Sequence, residues 1–276
     1  VRVTGNVPFS IDLRVKKFKR RRRICRSLQV PYLAHARSVA VASRADAASA
    51  IHTTPRPVRI AYAAAVWGHN DAELLGFNAW RRALRDACVS LGAPRCARQW
   101  VHMRGQNVHK ALHLYTESTF CLMPPGDTLA RGAIVDAVTT GCIPVLVHPR
   151  QHRLWPAHWD GVSASVLVDL SGGYPLPRSR DTRALRPNAS AALLSLLAMP
   201  EAEVARLQRA VAEAAPRLVY RRRGGEAHGY DNSAGGRAGA STTAAEDATD
   251  VLVNEMRKLR VALRPDERAT QRRTVE

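Results

Sequence analysis

The sequence predicts an α/β fold, a Rossmann-like parallel sheet with flanking helices. Three observations point there. Short apolar runs bounded by turn residues recur at 58–64, 120–123 and 143–147, as expected of strands buried on both faces. The stretches between them place apolar residues near i, i+3 and i+4, the period of a helix with one face on a core. Most compact is 118–149, STFCLMPPGDTLARGAIVDAVTTGCIPVLVHP, which holds a strand, a sharp turn, a helix start, an acidic helix position and a second strand.

The elements follow in order. Residues 1–26 read as irregular and basic, and 27–57 as a short apolar piece (28–33) leading into a linker that ends at Pro55-Arg56-Pro57. A strand is predicted over 58–64, then a turn at Gly68-His69-Asn70-Asp71 and a helix over 72–91 that Gly92-Ala93-Pro94 stops. A short strand near 97–103 and a helix over 107–116 precede the two motif strands. Beyond them come a strand over 165–170 and helices over 189–198 and 201–214, with Pro200 suited to the first turn of the second. A glycine-rich loop over 223–241 leads to a last helix over 242–263. The expected domains are a basic segment and linker (1–55), a nucleotide-sugar-binding domain (56–222), the glycine-rich loop (223–241), and a C-terminal helix and tail (242–276).

The 276 residues carry a net charge of +19, from 42 Lys and Arg against 23 Asp and Glu. Ten of the basic residues fall within 2–26, opposed only by Asp12. The run KKFKRRRR at 16–23 could mark a nucleic-acid or membrane-surface patch, but no aromatic interleaving or nucleic-acid motif accompanies it, and a solvated loop is the plainer reading. A basic surface also suits an anionic substrate such as a nucleoside diphosphate or an acidic glycan. No run reaches the ~18–20 apolar residues that span a bilayer. The start at Val1 reads as the beginning of a truncated sequence, the C-terminal part of something longer.

The five cysteines show neither CxxC nor zinc-ligand spacing. Cys88 and Cys96 are near enough to close a small loop. Cys121 and Cys142 lie in apolar strand runs and read as small buried hydrophobes.

The chemistry concentrates in the motif. Pro124-Pro125-Gly126 turns sharply after a strand, and Asp127 is a suitable N-cap for a helix starting there. The free N–H groups near Thr128–Arg131 would then face outward with the positive end of the helix dipole, and Arg131 would add a charge-assisted phosphate contact. Asp136, further along, could accept both hydroxyls of a ribose, and Gly141 ends the helix. The competing reading makes Asp127 only a cap, Arg131 only a surface charge and Asp136 a salt-bridged helix residue.

Other residues invite a role. His148, His152 and His158, with Trp155 and Trp159, fall in one loop and could wall a sugar ring, or simply pack. His148 follows the carboxyl end of a strand, where α/β ligands bind, and is a donor-contact candidate. Trp67 and His69 follow the first strand of this half and are substrate-contact candidates; Trp155 joins them as a sugar or acceptor candidate. His109 and His113, a turn apart with no Glu between, favour packing or surface placement over metal.

The spacing from Asp136-Ala137 through Gly141 to Pro144-Val145 resembles the acidic helix of GT-B glycosyltransferases. More closely, FCLMPPGD, Arg131, Asp136-Ala137 and GCIPVLVHP resemble the exostosin family, glycosyltransferase family 47, in its plant and algal form. Val30-Pro31-Tyr32 with His35 resembles the segment joining that family's two halves, and 200–220 and 245–259 its last two helices. The resemblance implies the C-terminal, donor-binding half of an inverting GT-B enzyme of the Golgi lumen. Its donor is a UDP-sugar, gripped by Gly126, Asp127, Thr128, Arg131 and Asp136, and its acceptor a cell-wall or extracellular glycan or glycoprotein. It implies no metal or other cofactor, no nucleic-acid partner, and a membrane link only through an anchor outside this chain. The chain departs from the plant pattern at Gly132, where a second Arg is usual. Phosphate binding is then weaker, or another basic residue such as Arg104 substitutes. No catalytic base is assigned. The alternatives are a non-catalytic nucleotide-sugar or carbohydrate-binding remnant of the same fold and, less favoured, a basic nucleic-acid-binding protein.

Overall fold

The computed structural model describes residues 2–3, 10–13, 26–35, 55–65, 75–100, 107–126, 128–168, 170, 188–220 and 246–262. Strands β1 (Arg2–Val3), β2 (Ser10–Leu13) and β3 (Arg26–Gln29) form a small antiparallel sheet in that order. The first 26 residues are therefore not irregular throughout, as their basic composition suggested. Register sets Ile11 opposite Leu28 and Asp12 opposite Ser27. The KKFKRRRR run lies outside the described residues.

The main body is a five-stranded sheet of order β5-β4-β6-β7-β8, every neighbouring pair parallel. Its strands are β4 (Val58–Ala63), β5 (Cys96–Gln99), β6 (Ser118–Met123), β7 (Ile143–Leu146) and β8 (Val166–Leu167). All residues of β6 and β7 are buried, because helices cover both faces of the sheet centre. This is why both strands read as unbroken apolar runs rather than alternations.

Six helices are described: α1 (Leu75–Leu91), α2 (Val108–Thr116), α3 (Gly132–Thr139), α4 (Ala189–Leu197), α5 (Glu201–Ala214) and α6 (Ala248–Ala262). The first inserts Trp80, Leu84, Ala87 and Cys88 into the core, the i, i+4, i+7, i+8 face of a helix. Helix α5 does the same with Val204, Leu207 and Val211. Pro200 is the N-cap of α5 (φ −59°, ψ 141°) rather than a residue of its first turn, and Glu201 and Glu203 sit where the helix dipole favours negative charge. Helix α6 closes onto the domain, with the Ala248 N–H donating to the Val219 carbonyl at 3.0 Å and Ala248 and Val251 buried.

Two disulfides lock the sheet. Cys88–Cys96 joins the end of α1 to the start of β5, with Cα atoms 5.2 Å apart. Cys121–Cys142 joins β6 to the residue before β7, with Cα atoms 5.9 Å apart. The second corrects the reading of Cys121 and Cys142 as mere small hydrophobes. Both side chains are fully buried, but β6 and β7 run side by side, which brings the sulfurs together across neighbouring strands.

Candidate functional site

The chain lays β5 on one side of β4 and then β6 on the other, so the strand order reverses at β4. The crevice beyond the carboxyl ends of β4 and β6 is the place where open α/β sheets bind ligands. Arg81 closes its floor. Buried on α1 at 6% exposure, it donates from Nη1 to the Ala65 carbonyl at 3.1 Å and from Nε to the Pro125 carbonyl at 2.7 Å. One guanidinium thus ties the segment leaving β4 to the segment leaving β6. The Tyr62 hydroxyl donates to the Arg81 carbonyl at 3.0 Å from beneath. Burial pushes that phenol up to about 12, against the opposing pull of Arg131, Arg81 and Arg85, so it remains a neutral donor.

The turn after β6 runs longer than its sequence suggested. Asp127 is outside the described residues, but the helix it was expected to cap begins four residues after Thr128, at Gly132, with Arg131 as N-cap and no side-chain cap bond. The Gly126 N–H donates to the Thr128 carbonyl, the Thr128 hydroxyl donates to the Ala130 carbonyl at 3.0 Å, and Arg131 Nη1 donates to the Pro124 carbonyl at 2.8 Å. These bonds and the two arginines hold the turn, and because the helix starts only at Gly132, Thr128–Arg131 are not helical N–H donors. Gly126 lies between those arginines: a Cβ there would meet Arg131 Cγ at 3.4 Å and Arg81 Nη2 at 3.6 Å. Gly126, Thr128 and Arg131 therefore do sit together at the switch point, in a cationic turn leading into α3.

Asp136 is buried on α3 at 4% exposure, and its carboxylate is already engaged. Oδ1 accepts the His35 backbone N–H at 2.6 Å, and Oδ2 lies 2.9 Å from His35 Nδ1. The upstream end of the expected linker is thus docked onto the domain rather than passing it by. Gln29 Oε1 accepts from the Trp155 N–H at 3.3 Å, the Tyr220 hydroxyl donates to the Pro31 carbonyl at 3.1 Å, and Tyr32 meets Trp155 edge-on at 6.2 Å between centroids.

Of the two readings of the imidazole and indole residues after β7, a sugar wall or ordinary packing, the structure shows packing. His148 is 4% exposed; its Nδ1 accepts the Arg150 N–H at 3.0 Å and caps a 3₁₀ turn, Pro149–Arg153, while its ring lies against Trp80. Trp155 has no exposed surface and packs on Tyr32 and Trp159. Neither can present a face to a sugar as placed. His158 is also buried, and burial pulls its imidazole down from the usual range. His113 is exposed and pairs with Glu117 at 3.3 Å, as a surface residue would. Trp67, His69 and Arg104 lie outside the described residues.

Two organising residues escaped the sequence. Arg81 had one signal, an arginine next to Trp80 on the apolar face of a helix. Gln151 had none. Fully buried, its Oε1 accepts the N–H groups of Val147 and His148, and its Nε2 donates to the carbonyls of Met123 and Leu129. Every hydrogen-bonding position of that amide is used, and it fastens the loop before α3 to the end of β7.

The Exostosin GT47 domain model matches residues 16–179, more than half of the chain. The chain belongs to the exostosin GT47 family. The match runs from before β3 to beyond β8, so it takes in the switch point, the arginine-flanked turn and the docked His35 segment. Among curated proteins, a probable xyloglucan galactosyltransferase GT19 of Arabidopsis thaliana is 33% identical over 108 residues, covering 39% of this chain and 23% of that protein. The probable xyloglucan galactosyltransferase GT17 of the same plant is 30% identical over 120 residues, covering 42% and 23%. The xyloglucan-specific galacturonosyltransferase 1 is 47% identical over 38 residues, covering 14% and 6%. The chain spans less than a quarter of the length of these relatives. Its exostosin-family α/β sheet is consistent with a GT-B-like glycosyltransferase domain.

Proposed function

We propose that this chain forms the donor-binding part of an inverting glycosyltransferase that moves a sugar from a UDP-sugar to a cell-wall or extracellular glycan. The observation that carries the reading is the family match centred on a switch-point crevice whose turn is flanked by Arg81 and Arg131. The diphosphate would lie against that turn and the start of α3, where main-chain N–H groups and guanidinium charge replace a metal. The relatives named for galactosyl and galacturonosyl transfer favour a hexose or hexuronic acid on the nucleotide and a xyloglucan-like acceptor. The two disulfides suit an oxidising lumen, in keeping with the Golgi.

Calorimetric titration of the folded chain with UDP and a panel of UDP-sugars tests the reading. Saturable binding that prefers one sugar and weakens in Arg131→Ala supports it. No binding by folded protein removes the donor site and leaves the family membership as ancestry.

A further inference from the structure

We propose that Trp100 and Arg98, on the outer edge of the main sheet, form a docking flank for the acceptor glycan, with the indole face stacking on a sugar ring. The identity of the saccharide rests on the glycosyl-transfer reading above. Of the tryptophans among the described residues, Trp80, Trp155 and Trp159 are buried, whereas Trp100 is 50% exposed. An indole left in water keeps a large apolar face unburied, and a ligand that covers it is stabilised by that burial. The Trp100 carbonyl accepts from Gln99 Nε2 at 2.9 Å. Among the described residues, the indole N–H and the exposed Arg98 guanidinium have no hydrogen-bond partner.

Register sets this indole beside the crevice. Gln99 of β5 is level with Ala63 of β4, and Tyr62 of β4 with Leu122 of β6. One residue beyond each strand end, Trp100, Ala64 and Pro124 therefore stand in a row across the carboxyl edge of the sheet. The Ala65 and Pro125 carbonyls that Arg81 holds come one step further out. Neighbouring strands lie about 4.8 Å apart, so roughly 10 Å separates the Trp100 backbone from that of Pro124, close to the length of a disaccharide. An acceptor whose terminal sugar reaches the turn proposed to hold the diphosphate would lay its next units over Trp100.

The side of the sheet is set as well. Cys96 turns toward α1, where it is bonded to Cys88, and strand alternation carries Arg98 to the same side. Arg98 is level with Tyr62, whose hydroxyl reaches the Arg81 carbonyl on α1. Strand β5 is the last of the sheet on this side, so no further strand covers it. The two side chains offer complementary chemistry. Guanidinium N–H groups donate to sugar hydroxyl and ring oxygens, and the indole takes the apolar C–H face of a pyranose.

The test is calorimetric titration of the full chain with an oligosaccharide cut from xyloglucan and, separately, with UDP. Trp100→Ala should weaken oligosaccharide binding about tenfold, the scale of one lost aromatic anchor, and leave UDP affinity unchanged. Trp100→Phe, which keeps an aromatic face, should retain most of the affinity and lose the change in tryptophan emission that the oligosaccharide causes in the wild type. Val89→Ala, which trims an exposed apolar residue near the far end of α1, should bind as the wild type does. Equal oligosaccharide affinity in Trp100→Ala and wild type overturns the proposal, as does a folded wild type that does not bind the oligosaccharide. Equal losses of UDP and oligosaccharide affinity in Trp100→Ala also overturn it, because the indole would then serve the uracil ring. Wild-type protein that binds the oligosaccharide through Trp100 but not UDP upholds this flank and removes the donor-site reading.

Discussion

Arg81 Nε lies 2.7 Å from the carbonyl oxygen of Pro125, a bond from the middle of α1 to the turn leaving β6. Because Nη1 of the same group holds the Ala65 carbonyl, the mouth of the crevice has a fixed width. Arg81→Met keeps much of the buried volume but strands two carbonyls. It should lower unfolding free energy by about 2–4 kcal/mol in urea titrations. Arg81→Lys should not rescue it, since a single ammonium nitrogen cannot reproduce the separate Nε and Nη1 donors of the rigid guanidinium.

Arg131 links the cap of α3 to Pro124 from the solvent side of the same turn. Its truncation to alanine should spare the fold and reduce UDP affinity about tenfold, the scale of one charge-assisted contact. Equal UDP affinity in the variant and the wild type would detach the turn from phosphate binding.

The Cys121–Cys142 bridge closes a separation of 21 residues that includes the turn and all of α3. On chain-entropy grounds it should contribute about 3 kcal/mol. The Cys121→Ala/Cys142→Ala double variant should show that loss by urea titration. Reducing agent should have a comparable effect on the wild type and little on the variant beyond opening Cys88–Cys96.

His158 is 1% exposed, and desolvation lowers its folded-state value below the ordinary 6.5. The unfolded chain therefore binds a proton there before the folded one does. Stability is unaffected above the unfolded value and falls as pH drops below it, until the folded value is reached. Urea midpoints between about pH 7 and pH 5 should decline in the wild type and decline less in His158→Gln. Asp160, held down mainly by the Ser163 hydroxyl, would add its loss only at lower pH.

Gly161 is fixed by close approach, not by its backbone angle. A Cβ there would fall 2.6 Å from the His152 carbonyl oxygen and 3.0 Å from its Cα. Backbone cannot rotate out of the way, so Gly161→Ala should destabilise by about 1–3 kcal/mol, read as a lower melting temperature.

The strands and helices were legible because each solves a local problem. Phe120–Met123 must be apolar on both sides, and the Trp80, Leu84 and Cys88 spacing can bury only as a helix. The start of α3 was misplaced because Pro-Pro-Gly-Asp has the chemistry of a capped helix, but Arg81 from α1 and Arg131 from the cap of α3 hold the Pro125 and Pro124 carbonyls, and the helix starts only at Gly132. The roles of Asp136, Trp155 and His148 depend on contacts that no local period reports. His35 approaches from 101 residues away, Tyr32 from β3's exit, and Trp80 from α1. An aromatic residue near a strand's carboxyl end looks the same in sequence whether it lines a crevice or fills the core beneath it.

The strap formed by residues 28–35 bears on where this domain can be cut. The prolines at 55 and 57 look like a natural boundary for expressing the sheet alone. Severing the chain there would strip Asp136 of both its His35 donors, Tyr220 of its Pro31 acceptor and Trp155 of its Gln29 acceptor. A nearly inaccessible carboxylate would then face water-poor surroundings with those bonds gone. A piece that keeps these bonds must begin upstream of Gln29, and a shorter one should show its loss first at α3.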